Sequence, residues 1–373
     1  MRKIMLIGCP REIKSQEHRV GLVPSSVAEL IAHGHSVVVE TNAGAGINFT
    51  DDHYIAAGAE ICSSASDIFE RADMIIKVKE PQKSEYTQLR EGQILFTYLH
   101  LAPDPKQAQG LIDSGCVAIA YETVTNPDGK DLLLLAPMSE VAGRLSSLMG
   151  ANYLQKHHGG NGRLVCGVPG VLPAKFLIIG GGVSGFNAAR VAVGMGADVT
   201  ILEKHPDRLR YLDNYFHGQA RVIYSNLDIM ERFAAESDVV IGAVLIPGGT
   251  APKLITQDML PAMQNGTVMV DIAIDQGGCF ETSKPTTHED PVYDVDGKLH
   301  YCVANMPGAV PLSSALALNH AILPYAVNIA NHGWKDACAR DQGLANGLNV
   351  SFGDVNHREV AAALGVDFKQ YSQ

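Results

Sequence analysis

One stretch, LIIGGGVSGFNAARVAVGMGADVTILEK at residues 177–204, limits what this chain can fold into more than any other. A short apolar run at 176–179 leads into Gly180, Gly182 and Gly185, spaced G-x-G-x-x-G. In that spacing the first glycine permits a tight turn and the second lets a pyrophosphate approach the backbone. The third lets a helix pack closely on a strand. Residues 184–195 are rich in alanine and valine, as suits a helix lying on a sheet. Its N-terminus offers free N–H groups and the positive end of a dipole to a phosphate. A second apolar run at 199–202 is closed by Glu203, which is placed to accept hydrogen bonds from the adenosine ribose hydroxyls. A glycine turn alone is weak evidence. Strand, turn, helix, strand and terminal acid in succession predict a dinucleotide-binding unit. A carboxylate at Glu203 repels a 2′-phosphate, which favours NAD over NADP, although Lys204, His205 and Arg208 stand close by.

This unit starts almost halfway along a chain of 373 residues, so a second domain must precede it. The hydrophobic fraction of 46% and charged fraction of 18% suit a soluble globular enzyme. A formal net charge of −11 argues against nonspecific nucleic-acid binding. No apolar run approaches membrane-spanning length, and the apolar core of the N-terminal MRKIMLIGCPREIK is too short for a signal peptide. Cys9, Cys62, Cys116, Cys166, Cys279, Cys302 and Cys338 are scattered, with no C-x-x-C. This usage fits a reducing cytoplasm and makes a metal site unexpected.

Strand-like runs at 4–7, 37–40, 74–78, 94–98 and 117–121 alternate with helical or polar connections such as Pro24–Ala32 and Pro105–Ser114. That alternation predicts a mostly parallel sheet. NPDGKD at 126–131 reads as a hinge, and 136–158 as a long connecting helix with Ser139 as its N-cap. The nucleotide unit has candidate strands at 176–179, 199–202, 222–224, 239–244, 268–274 and 301–304. A helix over 315–332 is expected to return to the first domain. The fold class is therefore α/β, with two doubly wound domains. One is a Rossmann dinucleotide-binding domain at 129–306. The other is a discontinuous α/β substrate domain at 1–128 and 307–373.

A domain that holds a dinucleotide needs a partner that holds the molecule exchanging hydride with it. Functional groups are expected at the carboxyl ends of strands. In KVKEP, Lys77 and Lys79 end an apolar strand on one face. Either could hold a carboxylate or polarise a carbonyl, but a solvated charge at a strand end is the plainer reading. In FTYLHLAPDP, His100 follows a strand and suits proton exchange, while a hydrogen-bonded structural histidine is equally compatible. In MVDIAIDQGGCFE, strand alternation would put Asp271 and Asp275 on one face. Two aspartates in and ending an apolar strand are costly without partners, which favours function. The loop REIKSQEHRVGLVP offers Arg11, Lys14 and Arg19, any of which could hold a carboxylate or sit in solvent. HHGG at 157–160 reads as a helix cap rather than a metal site. AVLIPGGTAPKL at 243–254 reads as a glycine-bearing loop near the cofactor, with a simple strand-to-helix turn as its rival.

Taken together these segments, with LLAPMSEVAGRLS, GVPGV and YCVANMPGAVP, resemble the alanine dehydrogenase and transhydrogenase NAD-binding subunit family. The resemblance covers nearly the whole chain, and DIAIDQGGCFE and MSEVAGRLS are its most specific parts. It implies oxidative deamination of L-alanine to pyruvate and ammonia with NAD, and the reverse. By motif position it implies that Arg19 and Lys79 bind substrate and that His100 and Asp275 handle protons. Glu203 would bind the ribose, with Ser139 and Asn305 beside the cofactor. It also implies a homohexamer. The family often has aspartate where this chain has Glu203. Two other functions share the architecture: a non-catalytic nucleotide-binding module working with a membrane partner, and an oxidoreductase for another amino acid or an opine-like conjugate.

Overall fold

A computed structural model describes residues 4–244 and 251–371. Its strands, in chain order, are β1 (Leu6–Cys9), β2 (Ser36–Glu40), β3 (Glu60–Cys62), β4 (Met74–Ile76), β5 (Ile94–Thr97) and β6 (Val117–Ala120). There follow β7 (Lys175–Ile179), β8 (Asp198–Glu203), β9 (Ala220–Tyr224), β10 (Val239–Gly242), β11 (Val268–Asp271), β12 (Val292–Val295) and β13 (Lys298–Tyr301). The last two are β14 (Leu348–Ser351) and β15 (Asp354–Val355). The chain divides into two compact units, Met1–Met138 with Val310–Gln373, and Ser139–Ala309.

The first unit holds one sheet in the order β15-β14-β6-β5-β4-β1-β2-β3. Every pairing from β6 to β3 is parallel, and the two pairings of β14 are antiparallel. Successive residues of each strand feed opposite faces. Met74, Ile76 and Phe96 join one apolar cluster, with Leu30, Leu318 and Ile322 of the covering helices. Ile75 and Leu95 join the other, with Ile68, Phe69 and Leu111. Burial on both faces explains why these strands read as continuous apolar runs. The helix Pro311–His332 returns to this unit. Its buried Asn319 accepts from the Val23 N–H at 2.9 Å, satisfying an orphan donor at the start of helix Pro24–Ala32. Helix Pro105–Ser114 is bounded as its sequence indicates. Asp104 accepts from two first-turn amides, proline opens the first turn, and left-handed Gly115 closes the end.

The second unit holds a sheet in the order β12-β13-β11-β10-β7-β8-β9, parallel except for the β12–β13 hairpin. The expected strand at 301–304 is displaced to Lys298–Tyr301 because Asp296 and Gly297, both left-handed, form the tight turn that an antiparallel hairpin requires. The expected strand at 268–274 ends at Asp271. There the aspartate side chain accepts from the Ala273 N–H and starts a 3-10 turn, Ile272–Gln276. Strand alternation therefore stops before Asp275 and cannot relate it to Asp271. The long helix begins at Ala136, so Ser139 lies inside its first turns rather than at the N-cap. Pro137 tolerates an early turn, and the Ala136 N–H already bonds to the Leu132 carbonyl at 2.9 Å. The helix ends at Tyr153. His157 and His158 fall in a short 3-10 turn capped by left-handed Gly159.

Both sheets reverse direction once. In the first unit the chain runs β1, β2, β3 one way and then resumes at β4 on the other side of β1. In the second it runs β7, β8, β9 and resumes at β10 beside β7. Such switch points leave a crevice at the carboxyl ends of the two central strands. The loops carrying Arg19 and Lys79 leave β1 and β4. The glycine turn leaves β7.

Candidate active site

In the first unit the two lysines of KVKEP have opposite surroundings. Lys77 is fully buried, its Nζ 2.7 Å from Glu85 Oε1 and 3.1 Å from Glu12 Oε2. Burial by itself would depress its ionisation, but the two carboxylates outweigh that and hold the ammonium above the usual lysine value. Glu12 also accepts from the Val78 N–H at 2.6 Å. Lys77 is thus neither the solvated charge expected at a strand end nor placed to meet a ligand. Lys79 is the other kind of group. Its Nζ is 3.6 Å from Glu80 Oε2, and its carbonyl accepts from Thr97 Oγ1 at 3.1 Å.

Glu80 links the cations of this unit. Lys14 pairs with its Oε1, and its Oε2 is buried with no hydrogen-bond partner. Burial pushes this carboxyl up, but Lys79, Lys14 and His100 together hold it below the usual carboxylate range. His100 lies one residue beyond the Tyr98–Leu99 pair that follows β5. Its ring stacks on that of Tyr98 at 5.8 Å between centroids. Its backbone is left-handed, with φ of 47°. Glu122 holds the turn in place, Oε1 accepting from the His100 N–H at 2.6 Å and both oxygens facing the Leu99 N–H. A left-handed histidine persists only where its surroundings impose it.

Arg19 is 2% exposed. Glu17, equally enclosed, accepts from its Nε at 2.7 Å and its Nη2 at 2.5 Å, and Nη1 reaches Met138 Sδ at 3.1 Å. Burial pushes the Tyr98 hydroxyl up and the Arg19 cation opposes that shift; the hydroxyl donates to the Leu134 carbonyl at 2.6 Å. Arg19, Lys79 and His100 are thus joined by Tyr98 and Glu80 within one unit. Their carboxylate partners Glu17 and Glu80 were not foreseen, although each stands within two residues of the cation it holds.

In the second unit the glycines divide their roles as the spacing requires. Gly180 has φ of 98°. A Cβ at Gly185 would lie 1.8 Å from the Gly180 carbonyl oxygen, so helix Val183–Gly194 can approach the strand only with glycine there. A Cβ at Gly182 would meet nothing within 4 Å, leaving that backbone face open to a pyrophosphate. Glu203 ends β8, is nearly buried, and turns into the glycine turn. Its Oε2 accepts from the Gly181 N–H at 2.9 Å, and its Oε1 from the Lys204 and His205 N–H groups at 2.6 and 3.0 Å. Arg208 Nε donates to the Gly181 carbonyl at 2.5 Å, and its guanidinium lies over the Tyr211 ring. These residues fit a dinucleotide.

Ser139 is half-buried near the start of the long helix. Asn305 has a left-handed backbone, and its carbonyl accepts from the Gly308 N–H at 2.9 Å and faces His288 Nε2 at 3.2 Å. Asp271 is fully buried and meets four donors: the Ala273, Cys279 and Phe280 N–H groups and the Ser283 hydroxyl. Burial raises its carboxyl against these bonds. Asp271 therefore satisfies the loop from inside, and Asp275 stands exposed at its crest. Of the expected cofactor loop at 243–254, residues 245–250 lie outside the described residues. Among the described residues no helix is long and apolar enough to cross a membrane.

The model of the alanine dehydrogenase/PNT N-terminal domain matches residues 8–142, and that of the C-terminal domain matches residues 146–358. The chain is 54% identical over 370 residues to alanine dehydrogenase 2 of Staphylococcus aureus, covering 99% of each chain. It is 53% identical over 364 residues to the alanine dehydrogenase of Halomonas elongata, covering 98% of each. A solved L-alanine dehydrogenase superimposes with a TM-score of 0.93 at 49% identity, covering 97% of this chain and 99% of that one.

Proposed function

Because this chain belongs to the alanine dehydrogenase/PNT family, we propose that it oxidatively deaminates L-alanine to pyruvate and ammonia with NAD, and runs the reverse reductive amination. The observation that carries the reading is likeness over essentially the full length to proteins named alanine dehydrogenase. The grouping of Arg19, Lys79 and His100 in one unit supports it.

The net reaction takes L-alanine, NAD and water to pyruvate, ammonium, NADH and a proton. When bound, the nicotinamide supplies the hydride acceptor. Arg19 binds the substrate carboxylate. Glu17 fixes the guanidinium through Nε and Nη2, which orients it for the ligand. Lys79 sits against the oxygen on the α-carbon, its ammonium stabilising negative charge there. His100 takes a proton from the water that adds to the imine carbon and gives one to the departing ammonia. Asp275 accepts from the substrate amino group. Fixed cations orient the carboxylate, which supplies much of the advantage of a bound over a free reactant.

The unit carrying Gly180, Gly182 and Gly185 holds the dinucleotide, with Ser139 and Asn305 beside it. Residues 1–128 and 307–373 hold the substrate. Three acceptor positions of Glu203 are used by backbone amides, and a carboxylate has about four. The fourth is available to a ribose hydroxyl and repels a 2′-phosphate, so NAD is preferred. The reading extends to a homohexamer, on the family resemblance, and to a cytoplasmic setting, on the scattered cysteines. NADH oxidation by the purified protein should require pyruvate and ammonium together. Oxidation that continues with either one omitted would refute the proposal.

A further inference from the structure

The loop after β11 is held from outside by a single exposed cation. Residues 276–280 turn the chain back from Asp275 through left-handed Gly277 and Gly278. Such a turn leaves a row of carbonyls pointing outward. All five accept hydrogen bonds from one strip of chain, residues 251–254. The Ala251 N–H donates to the Gln276 carbonyl at 3.1 Å and the Leu254 N–H to that of Cys279 at 2.6 Å. The three between and beyond them belong to one ammonium. Lys253 Nζ donates to the carbonyl of Gly277, to that of Gly278 at 3.0 Å and to that of Phe280 at 3.2 Å. A lysine has three N–H donors, and here each has its acceptor on the same loop.

An exposed lysine ordinarily keeps its ammonium in water. This one gives up hydration for three peptide dipoles although nothing buries it. From inside, Asp271 collects the Ala273, Cys279 and Phe280 amides of the same loop. An anion thus holds the amides and a cation the carbonyls of one turn, whose crest is Asp275. Neither group is needed to close the sheet, since β11 is already paired on both sides.

We propose that Lys253 is a positioning residue that fixes the Asp275 loop for turnover. This rests on the role given to Asp275 above. The inner half of the clamp is buried and its removal would threaten folding. The outer half is exposed and can be removed cleanly.

The test is a double-mutant cycle on the full-length protein, using Lys253→Met, Lys253→Arg and Asp275→Asn. A misplacement of about 1 Å can cost ~10²-fold in rate, so Lys253→Met should lower kcat by roughly 10- to 100-fold. The KM for L-alanine and the Kd for NADH should move by less than about threefold. Lys253→Arg, which keeps charge and donors, should recover most of kcat. In the Asp275→Asn background, Lys253→Met should cost less than about twofold further, because its effect passes through Asp275. Independently of activity, amide exchange over 276–281 should speed up in Lys253→Met. Full kcat in Lys253→Met, losses that multiply in the double variant, or unchanged exchange would each overturn the proposal. A wild-type chain inactive on alanine but with faster exchange in Lys253→Met would refute the assigned reaction and leave the clamp standing.

Discussion

Replacing Lys77 by methionine separates the two lysines of KVKEP, because the side chains have similar length and only the charge is lost. Lys77 is fully buried between Glu12 and Glu85, whose side chains are 2% and 3% exposed. Lys77→Met leaves two buried carboxylates without their cation. Breaking a buried pair by removing one partner typically costs ~3–5 kcal/mol. At roughly 2–4 °C per kcal/mol for a unit of this size, Tm should fall by about 6–20 °C. The pH dependence has a definite sign. Burial pushes the Glu12 carboxyl above its usual value, and Lys77 opposes that shift. In the variant the opposition is gone. A carboxyl whose folded pKa is raised binds more protons folded than unfolded, so its folded state loses stability as pH rises from about 4.5. Lys77 itself, held above the usual lysine value, stays charged in both states of the wild type below about pH 10. The deficit of Lys77→Met should therefore be larger at about pH 8 than at about pH 5. Urea unfolding followed by circular dichroism at both pH values measures it, with Lys79→Met as the control that should stay within about 1 kcal/mol of wild type. A Lys77→Met cost below about 1 kcal/mol, or a deficit that grows on acidification, would refute the reasoning.

His100→Ala should keep the fold and NADH binding but lose turnover by ~10²–10⁴-fold in steady-state assays, the usual contribution of an acid–base group. Unchanged turnover in a folded variant would remove the histidine from the mechanism. Glu203→Ala should weaken NAD and relax discrimination against NADP, read as the ratio of kcat/KM for the two cofactors. An unaltered ratio would assign selectivity to another group. Arg19→Lys should chiefly raise the KM for pyruvate, since an ammonium cannot span both Glu17 oxygens and a ligand as a guanidinium does. Lys79→Ala should depress both binding and kcat. Fluorescence titration should find NADH affinity nearly unchanged in both, and a selective loss of it would reverse the roles of the two halves of the chain.

The parallel strands were legible because burial on both faces leaves uninterrupted apolar runs, as in 74–76 and 239–242. The glycine turn was legible because each of Gly180, Gly182 and Gly185 answers a different steric demand. Glu60–Cys62 and the start of Lys298–Tyr301 were not. The first is three residues long at a sheet edge, and the second carries a lysine and a histidine that find partners only in the folded sheet. Asp271 shows the limit of alternation. The same side chain that would mark a strand face instead ends the strand by accepting an amide two residues on. KVKEP shows the limit of spacing, for two lysines two residues apart meet opposite fates once Glu85 of the next helix and Glu12, distant in sequence, close around one of them. Buried carboxylates that complete cations from elsewhere in the chain leave no local signature.

The most direct test of the account is the product balance of the oxidative reaction. Purified protein with NAD and L-alanine should form NADH, pyruvate and ammonium in equal amounts. D-alanine, and NAD alone, should yield none. NADH without matching pyruvate and ammonium, or no NADH at all from a protein that demonstrably binds it, would contradict the claim that this chain interconverts alanine and pyruvate.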